Sequence, residues 1–390
     1  MNIIQSVERY DTWLARQLKG DLMLDELDQK HDKMAADPFQ FLRATYWRWA
    51  ETIYTVCPEL EGAPHVLGVG DLHVENFGSW RDAEGRLVWG VNDYDEAAKM
   101  PYPLDIVRLA VSAVLAEVRG TSPARICRDI LKGYVEGIDD PKPYVLDRHN
   151  EWLRQIVVVS EQERKNFWKK FDPRRLKKKS QADKKSKVRP VKKMRHRYIK
   201  ALEAARPDSS VRFDYFERTA GTGSLGRPRY FGVGHWHSDL IIREAKAIVR
   251  SGWSLAHQGA HQLQCEEIAR GKYRCPDPFY HVDGHVLVRK LSPNDYKVEA
   301  KPKGPGGEES HKAVAVSVLV NPKMLYAMGR DVAAIHRGTP HRRQAIIDDL
   351  DARPRDWLLK AVTAAAQMTR TDWEEWRAYH NGEQAKAASR

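Results

Sequence analysis

The chain has 390 residues, of which 42% are hydrophobic and 30% charged, and its twelve Trp exclude a globally disordered protein. Four widely spaced cysteines predict neither a zinc site nor a disulfide framework, and without a visible signal peptide or membrane span we expect a cytoplasmic protein with no membrane contact. The net charge of +12 is concentrated, because residues 164–200 carry eighteen Lys or Arg and two Asp, and the rest of the chain is mildly acidic.

The N-terminal part of the chain predicts helices followed by a pair of strands. Residues 1–64 have apolar side chains at helical spacing, and a second helix is predicted to begin at Asp37-Pro38, since Pro is favoured at the first helical position. Apolar runs at 65–70 and 86–91, with turn residues between them, predict two paired strands. The next predicted helices are 104–118, 123–137 and 144–170.

A basic insert at 171–197 follows these helices. Its low hydrophobicity cannot offset the conformational entropy lost on ordering, so we expect a mobile segment. The wider basic stretch at 164–200 has three candidate roles: an ordinary solvated loop, contact with a polyanion such as nucleic acid, or recognition of an acidic substrate. Aromatic residues are few there, which disfavours stacking on single-stranded nucleic acid.

Beyond residue 205 the pattern changes to strands. Apolar alternation predicts strands at 211–218, 229–233 and 239–245, then a helix around 261–270. A hairpin with strands at 279–282 and 285–291 is turned by Asp283-Gly284. A loop rich in Gly, Pro and Lys is expected at 301–309, and the last seventy residues are predicted to be helical. Helices, then antiparallel strands, then helices indicate an α+β fold with two lobes.

The segment Gly70-Asp71-Leu72-His73-Val74-Glu75-Asn76, followed by Asn92-Asp93-Tyr94-Asp95, points to phosphoryl transfer. This chemistry requires a group that accepts the proton of the acceptor hydroxyl, and ligands that hold Mg²⁺ on the phosphates. In a loop, Asp71 suits the first role, while the amide oxygen of Asn76 and the carboxylate of Asp93 suit the second. A strand–loop–strand ribbon would place all three at one end. The alternative is that they are turn and capping residues.

The segment at 70–76 resembles the Gly-Asp-x-His-x-x-Asn catalytic loop of aminoglycoside-phosphotransferase-like members of the protein-kinase superfamily, and 92–97 is similar to the metal-binding segment that follows it there. The wider pattern, with Lys33-Met34, Asp37-Pro38-Phe39 and the REAKA block at 243–247, resembles the bacterial family catalogued only as domain of unknown function 2252. The resemblance implies these roles: Asp71 as catalytic base, Asn76 and Asp93 as metal ligands, Asp95 as their neighbour, and His73 as a brace for the loop.

A glycine-rich segment, Gly221-Thr222-Gly223-Ser224-Leu225-Gly226, fits two kinds of nucleotide-binding loop. A dinucleotide-binding turn must open a helix, whereas a kinase loop joins two antiparallel strands. The Pro and strand-forming residues that follow cannot open a regular helix, which favours the hairpin. Gly221, Gly223 and Gly226 would then let backbone N–H groups approach phosphate closely, unless the hairpin is purely structural.

The next predicted strand supplies the basic group expected at the phosphates. In kinase-like lobes a Lys on this strand pairs with the phosphates and with a Glu on a helix. Here Arg243 lies within the strand and Lys246 at its end, and strand alternation sends them to opposite faces. We favour Arg243, because a guanidinium can clamp phosphate with two hydrogen bonds. The other residues assigned to the nucleotide are Glu266 or Glu267 as the partner and Val288 in the hinge strand at 287–291.

The order of these parts is unusual, because the glycine-rich loop follows the catalytic loop by about 150 residues instead of preceding it. A helix at 328–336 resembles the one that leads into the catalytic loop of kinases, with the helix at 39–54 as a rival. We therefore predict a circularly permuted, two-lobed, protein-kinase-like α+β fold. Its predicted parts are a helical part at 1–205 with the basic insert, a β-rich nucleotide lobe at 206–300, and a completing helical segment at 301–390.

The predicted function is a phosphotransferase that uses ATP and Mg²⁺ and acts on an unknown hydroxyl-bearing acceptor, either a small molecule or a protein. Two alternatives stay open. One is an enzyme of the same fold that transfers AMP. The other is a pseudokinase-like protein that binds a ligand or partner without turnover, with a polyanion-binding insert. The presence of Asp71, Asn76 and Asp93 together favours an enzyme.

Overall fold

The fold is α+β, as predicted, and the described residues form helices around three antiparallel sheets. It is seen in a computed structural model that describes residues 1–118, 120–182, 188–191, 194–257, 262–295 and 316–388. The predicted loop at 301–309, the first residue of the predicted helix at 261–270 and parts of the basic insert lie outside the described residues.

Helices occupy the first part of the chain: α1 (Ile3–Leu18), α2 (Leu24–Ala36), α3 (Pro38–Ala44) and α4 (Tyr46–Val56), with a 3₁₀ turn at Pro58–Leu60. As predicted, Asp37 caps α3 by accepting from the N–H of Gln40, and Pro38 follows it. The predicted single helix at 39–54 is wrong. Thr45 leaves helical geometry and its hydroxyl donates to the carbonyl of Phe41, so the chain forms two helices.

Short strands surround the segment at 70–76, and their pairing differs from the prediction. β1 (His65–Gly68) pairs with β4 (Ala98–Pro101), while β3 (Leu87–Val91) lies between β2 (Phe77–Arg81) and β5 (Tyr144–Val145). The predicted hairpin of 65–70 with 86–91 is therefore wrong. Asp82 accepts from the N–H groups at positions 84 and 86 and closes a tight turn, so β3 pairs with the strand next to it in sequence.

The helices that follow are α5 (Pro103–Leu115), α6 (Pro123–Asp139), α7 (Glu151–Val157), α8 (Glu161–Phe171) and α9 (Pro173–Ala182). The first two lie close to their predicted bounds. The predicted helix at 144–170 is wrong over 144–150, where the chain forms strand β5 and a turn, and the rest is divided into α7 and α8. Asn150, in a left-handed conformation, precedes α7, and a capping box at Ser160 and Glu163 begins α8 separately.

The described part of the basic insert has regular secondary structure, contrary to the expected mobile segment. It includes α9 and β6 (Val188–Pro190), which pairs with β7 (Asp214–Arg218). Buried Phe171 and Leu176 anchor α8 and α9 on the sheet face that carries Phe231. The low average hydrophobicity of the insert suggested that it could not offset the conformational entropy lost on ordering. A few apolar side chains at helical spacing are nevertheless buried and contribute to that offset.

A six-stranded sheet has the order β10-β11-β9-β8-β7-β6. Its inner strands, β8 (Arg229–Trp236) and β9 (Asp239–Ala247), confirm the predicted strands there, and β10 (His281–Asp283) with β11 (Val286–Lys290) confirms the predicted hairpin. One face of this sheet packs against α1 and α10 (His196–Ala204). Both helices belong to the segment 1–205 that was predicted as the helical part. The other faces α8 and α9 at its outer end.

The remaining helices are α11 (Trp253–Ala256), α12 (Cys265–Ala269), α13 (Val316–Leu319), α14 (Pro322–His336), α15 (Arg343–Ala352) and α16 (Trp357–Ala388). Side chains of α14 and α16 share one hydrophobic core with α4, α5, α6 and the short strands, so the last part of the chain completes a core begun near its start. Within the described residues, none of the helices combines the length and apolar character needed to cross a bilayer.

The close contact between α6 and α14 depends on glycine. A Cβ at Gly133 would lie 2.0 Å from the carbonyl oxygen of Tyr326, and one at Gly329 would lie 2.2 Å from that of Ile130. We predict that Gly133→Ala lowers the free energy of unfolding by about 3 kcal/mol, because the helices must separate. Gly382→Ala is the control. Among the described residues, a Cβ there would meet no atom within 4 Å beyond its chain neighbours and the backbone of its own helix, and helix propensity predicts a change between zero and a gain of about 1 kcal/mol. Denaturant unfolding measures both, and equal values would contradict the prediction.

Candidate functional site

A cavity of about 570 Å³ lies between the six-stranded sheet, α8, strand β2 and the segment that follows β3. Its volume is in the range of pockets that hold cofactors and nucleotides. The described residues lining it include both predicted and unpredicted groups, among them Asp93, Gly221, Arg218, Arg229, Arg289 and Phe167.

One face of α5 fixes the loop at 70–76. Asp105 accepts from the backbone N–H groups of positions 69 and 70 at 2.7 and 3.0 Å, and Ser112 accepts from that of position 74 at 3.0 Å. Arg108, between them on the helix, donates to Asp71 at 2.5 Å. Gly70 has φ +82°, and a Cβ there would lie 2.2 Å from the carbonyl oxygen of Glu96, so only glycine fits this close approach.

Asp71 lies under the glycine-rich loop. A Cβ on Gly223 would be 3.1 Å from Oδ2 of Asp71. Asp71 and Gly223, together with Lys30 and Arg43, line a pocket of only about 10 Å³. Burial raises the pKa of Asp71, against the opposing charge of Arg108. Its neighbour in the motif, His73, is buried with its ring edge-on to Phe39, and its Nδ1 accepts from the N–H of position 75 at 3.2 Å. This contact braces the loop.

Asn76 joins the two predicted motifs. Its side-chain nitrogen donates to the carbonyl oxygens of Asp71 at 3.1 Å and Asp93 at 3.2 Å. Its Oδ1 is buried and has no hydrogen-bond partner among the described residues. Because the two carbonyls fix the nitrogen, the amide cannot be reversed without opposing oxygens, and the oxygen is left as a free acceptor.

Lys246 meets the acidic segment directly. Its Nζ lies 2.6 Å from Asp95 and 3.4 Å from Asp93, and its side chain is 4% exposed. Burial, then the charge of Asp93, raises the pKa of Asp95, and Lys246 opposes both. Arg243, favoured in the sequence analysis, lies on the other face of β9. It donates to the carbonyl oxygen of Ala205 at 2.9 Å, so Lys246 takes the position facing the acids.

The glycine-rich loop joins antiparallel strands β7 and β8, which confirms the predicted hairpin. Its three glycines have different surroundings. Gly221 lines the cavity, Gly223 lies against Asp71, and Gly226 packs on leucines of the first two helices. Lys30 donates to the carbonyl oxygen of Gly223 at 3.0 Å and holds the loop down.

Three other predicted nucleotide residues do not reach the cavity. Glu266 forms ion pairs with Arg270 and His281, and Glu267 is exposed on the short α12. Val288 is buried against the opposite face of the sheet, because alternation along β11 turns its neighbours Arg289 and Leu291 toward the cavity instead.

Sequence analysis missed an arginine cluster on the cavity face of the sheet. Glu244, fully buried, lies 2.9 Å from Arg218, 3.0 Å from Arg229 and 2.7 Å from Arg289. Burial alone would raise the pKa of Glu244, but the three guanidinium charges outweigh it and hold this pKa well below its usual range. One feature of the sequence could have indicated this cluster. Glu244 is two residues from Lys246 and therefore lies on the same face of the strand, the face assigned to the phosphates if Lys246 meets them.

The donor set fits a hard cation bound together with phosphate. Among the described residues, no group of three or more His, Cys, Asp and Glu is placed to hold a metal ion. The free Oδ1 of Asn76 and the carboxylate of Asp93 supply two oxygens on adjacent segments. Mg²⁺ bound with nucleotides uses one or two carboxylates and takes its other ligands from phosphates and water.

Fold and site together define an α+β protein whose cavity combines acidic, glycine-rich and strongly cationic elements. The chain belongs to the family described as "Uncharacterized protein conserved in bacteria (DUF2252)", which matches residues 23–379. Membership of this bacterial family confirms the resemblance to domain of unknown function 2252. No curated protein and no solved structure matches the chain.

The cavity contains a carboxyl group that predicts a pH effect. Burial, then the charge of Asp277, raises the pKa of Asp295 to about 7 from its ordinary 3.8. The folded state thus holds a proton that the unfolded state has lost between about pH 4 and pH 7, and stability falls as the pH rises through this window. We predict that Asp295→Asn stabilises the protein by roughly 2 kcal/mol more at pH 8 than at pH 4. Unfolding at both pH values measures this, with exposed Asp239→Asn as control; a pH-independent difference would refute it.

Proposed function

We propose that the protein is a phosphotransferase dependent on ATP and Mg²⁺, with a circularly permuted, two-lobed, protein-kinase-like fold. One observation carries the proposal. The glycine-rich loop and Lys246 follow the loop at 70–76 by about 150 and 170 residues in sequence, yet they lie against Asp71 and Asp93. A nucleotide must touch all of these groups at once for its phosphate to be transferred.

The groups that would hold the nucleotide phosphates come from both sides of the cavity. Lys246 supplies positive charge from the sheet, and Gly221 leaves room for close approach of the backbone. Asn76 and Asp93 would hold Mg²⁺, which when bound would neutralise phosphate charge and fix the geometry for transfer. These residues orient the phosphate chain toward the loop at 70–76.

Asp71 is proposed as the base that accepts the proton of the acceptor hydroxyl. Burial raises its pKa, which brings a carboxylate closer to the basicity that proton transfer at neutral pH requires. Arg108 fixes the orientation of the carboxylate through Oδ1, which leaves Oδ2 on the side of Gly223. The Asp71 side chain is 19% exposed. Movement of the segment around Gly223 would widen the approach of an acceptor to Oδ2, so loop opening is part of the proposed cycle.

The contact between α14 and β1 supports the circular permutation. The hydroxyl of Thr339, just beyond the end of α14, accepts from the N–H of Leu67 at 2.8 Å, three residues before Gly70. In an unpermuted kinase-like chain, a helix such as α14 would lead directly into the catalytic loop. Here α14 ends beside β1, the strand that leads into the loop at 70–76. The rival at 39–54 is divided into α3 and α4, although its Arg43 also lies near Asp71.

Substitutions of Asp71 and Asp93 are expected to have different effects on activity and binding. Asp71→Asn should lower turnover about 100- to 10,000-fold, because it removes the base, and leave Mg-ATP binding largely unchanged. Asp93→Asn should weaken nucleotide binding only when Mg²⁺ is present. Calorimetry and turnover assays measure both, with exposed Asp239→Asn as the control. Wild-type turnover in Asp71→Asn would remove Asp71 from the base role.

The product of the reaction identifies the kind of transfer. Mass spectrometry of the protein and of candidate acceptors after incubation with Mg-ATP distinguishes the outcomes. An added phosphoryl group supports the proposal, an added adenylyl group replaces it with AMP transfer, and no change with any acceptor supports a binding protein.

A second pair of variants tests which basic residue meets the phosphates. Lys246→Gln should weaken Mg-ATP binding about tenfold or more, since a charge-assisted contact is lost. Arg243→Gln, on the opposite face of the same strand, should bind Mg-ATP like the wild type. Calorimetric titration checks this after thermal unfolding has shown that both variants fold. The reverse order of effects would transfer the role to Arg243.

A further inference from the structure

The arginine cluster carries more positive charge than its buried partner needs. Each guanidinium has five N–H donors, whereas one carboxylate accepts about four hydrogen bonds, so Glu244 cannot saturate three arginines. One negative charge against three positive charges leaves a net charge of about +2 on this part of the cavity wall. Burial lowers the pKa of Arg218 and the charges of Arg229 and Arg289 lower it further, against the pull of Glu244. Burial also acts to lower the pKa of Arg289, but this pKa is raised instead, because the charges of Glu244, Asp93 and Asp95 outweigh burial.

The exposure of the cluster points toward a ligand. Glu244 is fully buried, while the side chains of Arg218 and Arg289 are 21% and 27% exposed, and all three arginines line the cavity. A purely structural carboxylate is satisfied by one or two cations, and a third guanidinium in the same place adds repulsion. The cluster therefore resembles a rigid site for a further anion. Glu244 holds the guanidinium groups in position.

The position of the cluster fits a diphosphate. Glu244 and Lys246 lie on one face of β9, and two residues of a strand span about 7 Å. A di- or triphosphate group is long enough for its outer oxygens to contact both the arginines around Glu244 and Lys246, whereas a single phosphate spans less. Arg229 also donates to the hydroxyl of Ser224 in the glycine-rich loop at 2.9 Å. Arg229 stands opposite Lys246 in the ladder of β8 and β9, and Glu244 joins Arg229 to Arg289, so the cations run from Lys246 through Arg229 to Arg289. Phe167 and Leu291 line the cavity as apolar surface beside the arginines.

We propose that Arg218, Arg229 and Arg289 form a subsite for the diphosphate group of the ligand, and that the row of cations from Lys246 selects nucleoside di- and triphosphates over monophosphates. The assignment to a nucleotide rests on the proposed function, whereas the anion subsite itself does not. Inorganic pyrophosphate shares the diphosphate chemistry and binds without any transfer reaction, so it separates the two.

The test is calorimetric titration of the full chain with pyrophosphate, Mg-ADP, AMP and adenosine. Arg218→Gln should weaken pyrophosphate and Mg-ADP binding about tenfold or more and leave adenosine unchanged, because one charge-assisted contact is lost while Glu244 keeps two partners. Arg212→Gln, which removes the same charge from an exposed position on this part of the chain, is the matched control. Thermal unfolding of each variant verifies that it is folded.

The outcomes separate the subsite from the proposed function. If wild-type protein does not bind pyrophosphate, or if Arg218→Gln lowers the unfolding temperature without changing the affinity, the cluster is structural and the subsite is overturned. Equal weakening in Arg218→Gln and Arg212→Gln also overturns it. If Arg218→Gln alone weakens pyrophosphate binding while no acceptor gains a phosphoryl or adenylyl group, the subsite is supported and the proposed phosphotransferase is not.

Discussion

Two consecutive acids tie the six-stranded sheet to the rest of the molecule. Asp95 pairs with Lys246 at 2.6 Å, and Glu96 pairs with Arg227 at 2.6 Å while also accepting from the N–H of Gly252. All four side chains are largely buried, so removing any one of them leaves a charge uncompensated. This double pairing fixes where the sheet lies over the loop at 70–76, and the cavity exists because of that placement.

The same principle of compensated buried charge recurs around the site. Asp331 on α14 accepts from Arg274 and from the N–H of Val91, at the end of the strand that leads to Asp93. Asp105 holds the loop at 70–76 and pairs with His336 at 3.0 Å, so α5 and α14 are joined beneath it. Polar contacts of this kind are directional, and they hold the acidic segments in a defined geometry that apolar packing alone would not specify.

Local sequence signals predicted much of the fold, and long-range pairing caused most of the errors. The turn at Asp283-Gly284, the strands β8 and β9 and the helices α5 and α6 follow from turn residues and periodicity within short windows. The partner of β1 does not, because β1 pairs with β4, which lies beyond β2 and β3 in the chain. Alternation likewise predicted that Arg243 and Lys246 face opposite ways. Which of them faces the acids depends on contacts with residues about 150 positions away.

The arginine cluster shows why charge composition was misleading. Three roles were considered for the dense run at 164–200, and Arg243 or Lys246 was expected at the phosphates. Arg218, Arg229 and Arg289, which three separate strands bring to the cavity, were not predicted. Scattered residues become a site only through register, as when Glu244 stands opposite Arg289 in the ladder. The basic run contributes instead through its few apolar members, since Phe171 anchors α8 and thereby closes one wall of the cavity. The structural role of the basic run at 164–200 thus depends on the apolar residues within it rather than on its charge.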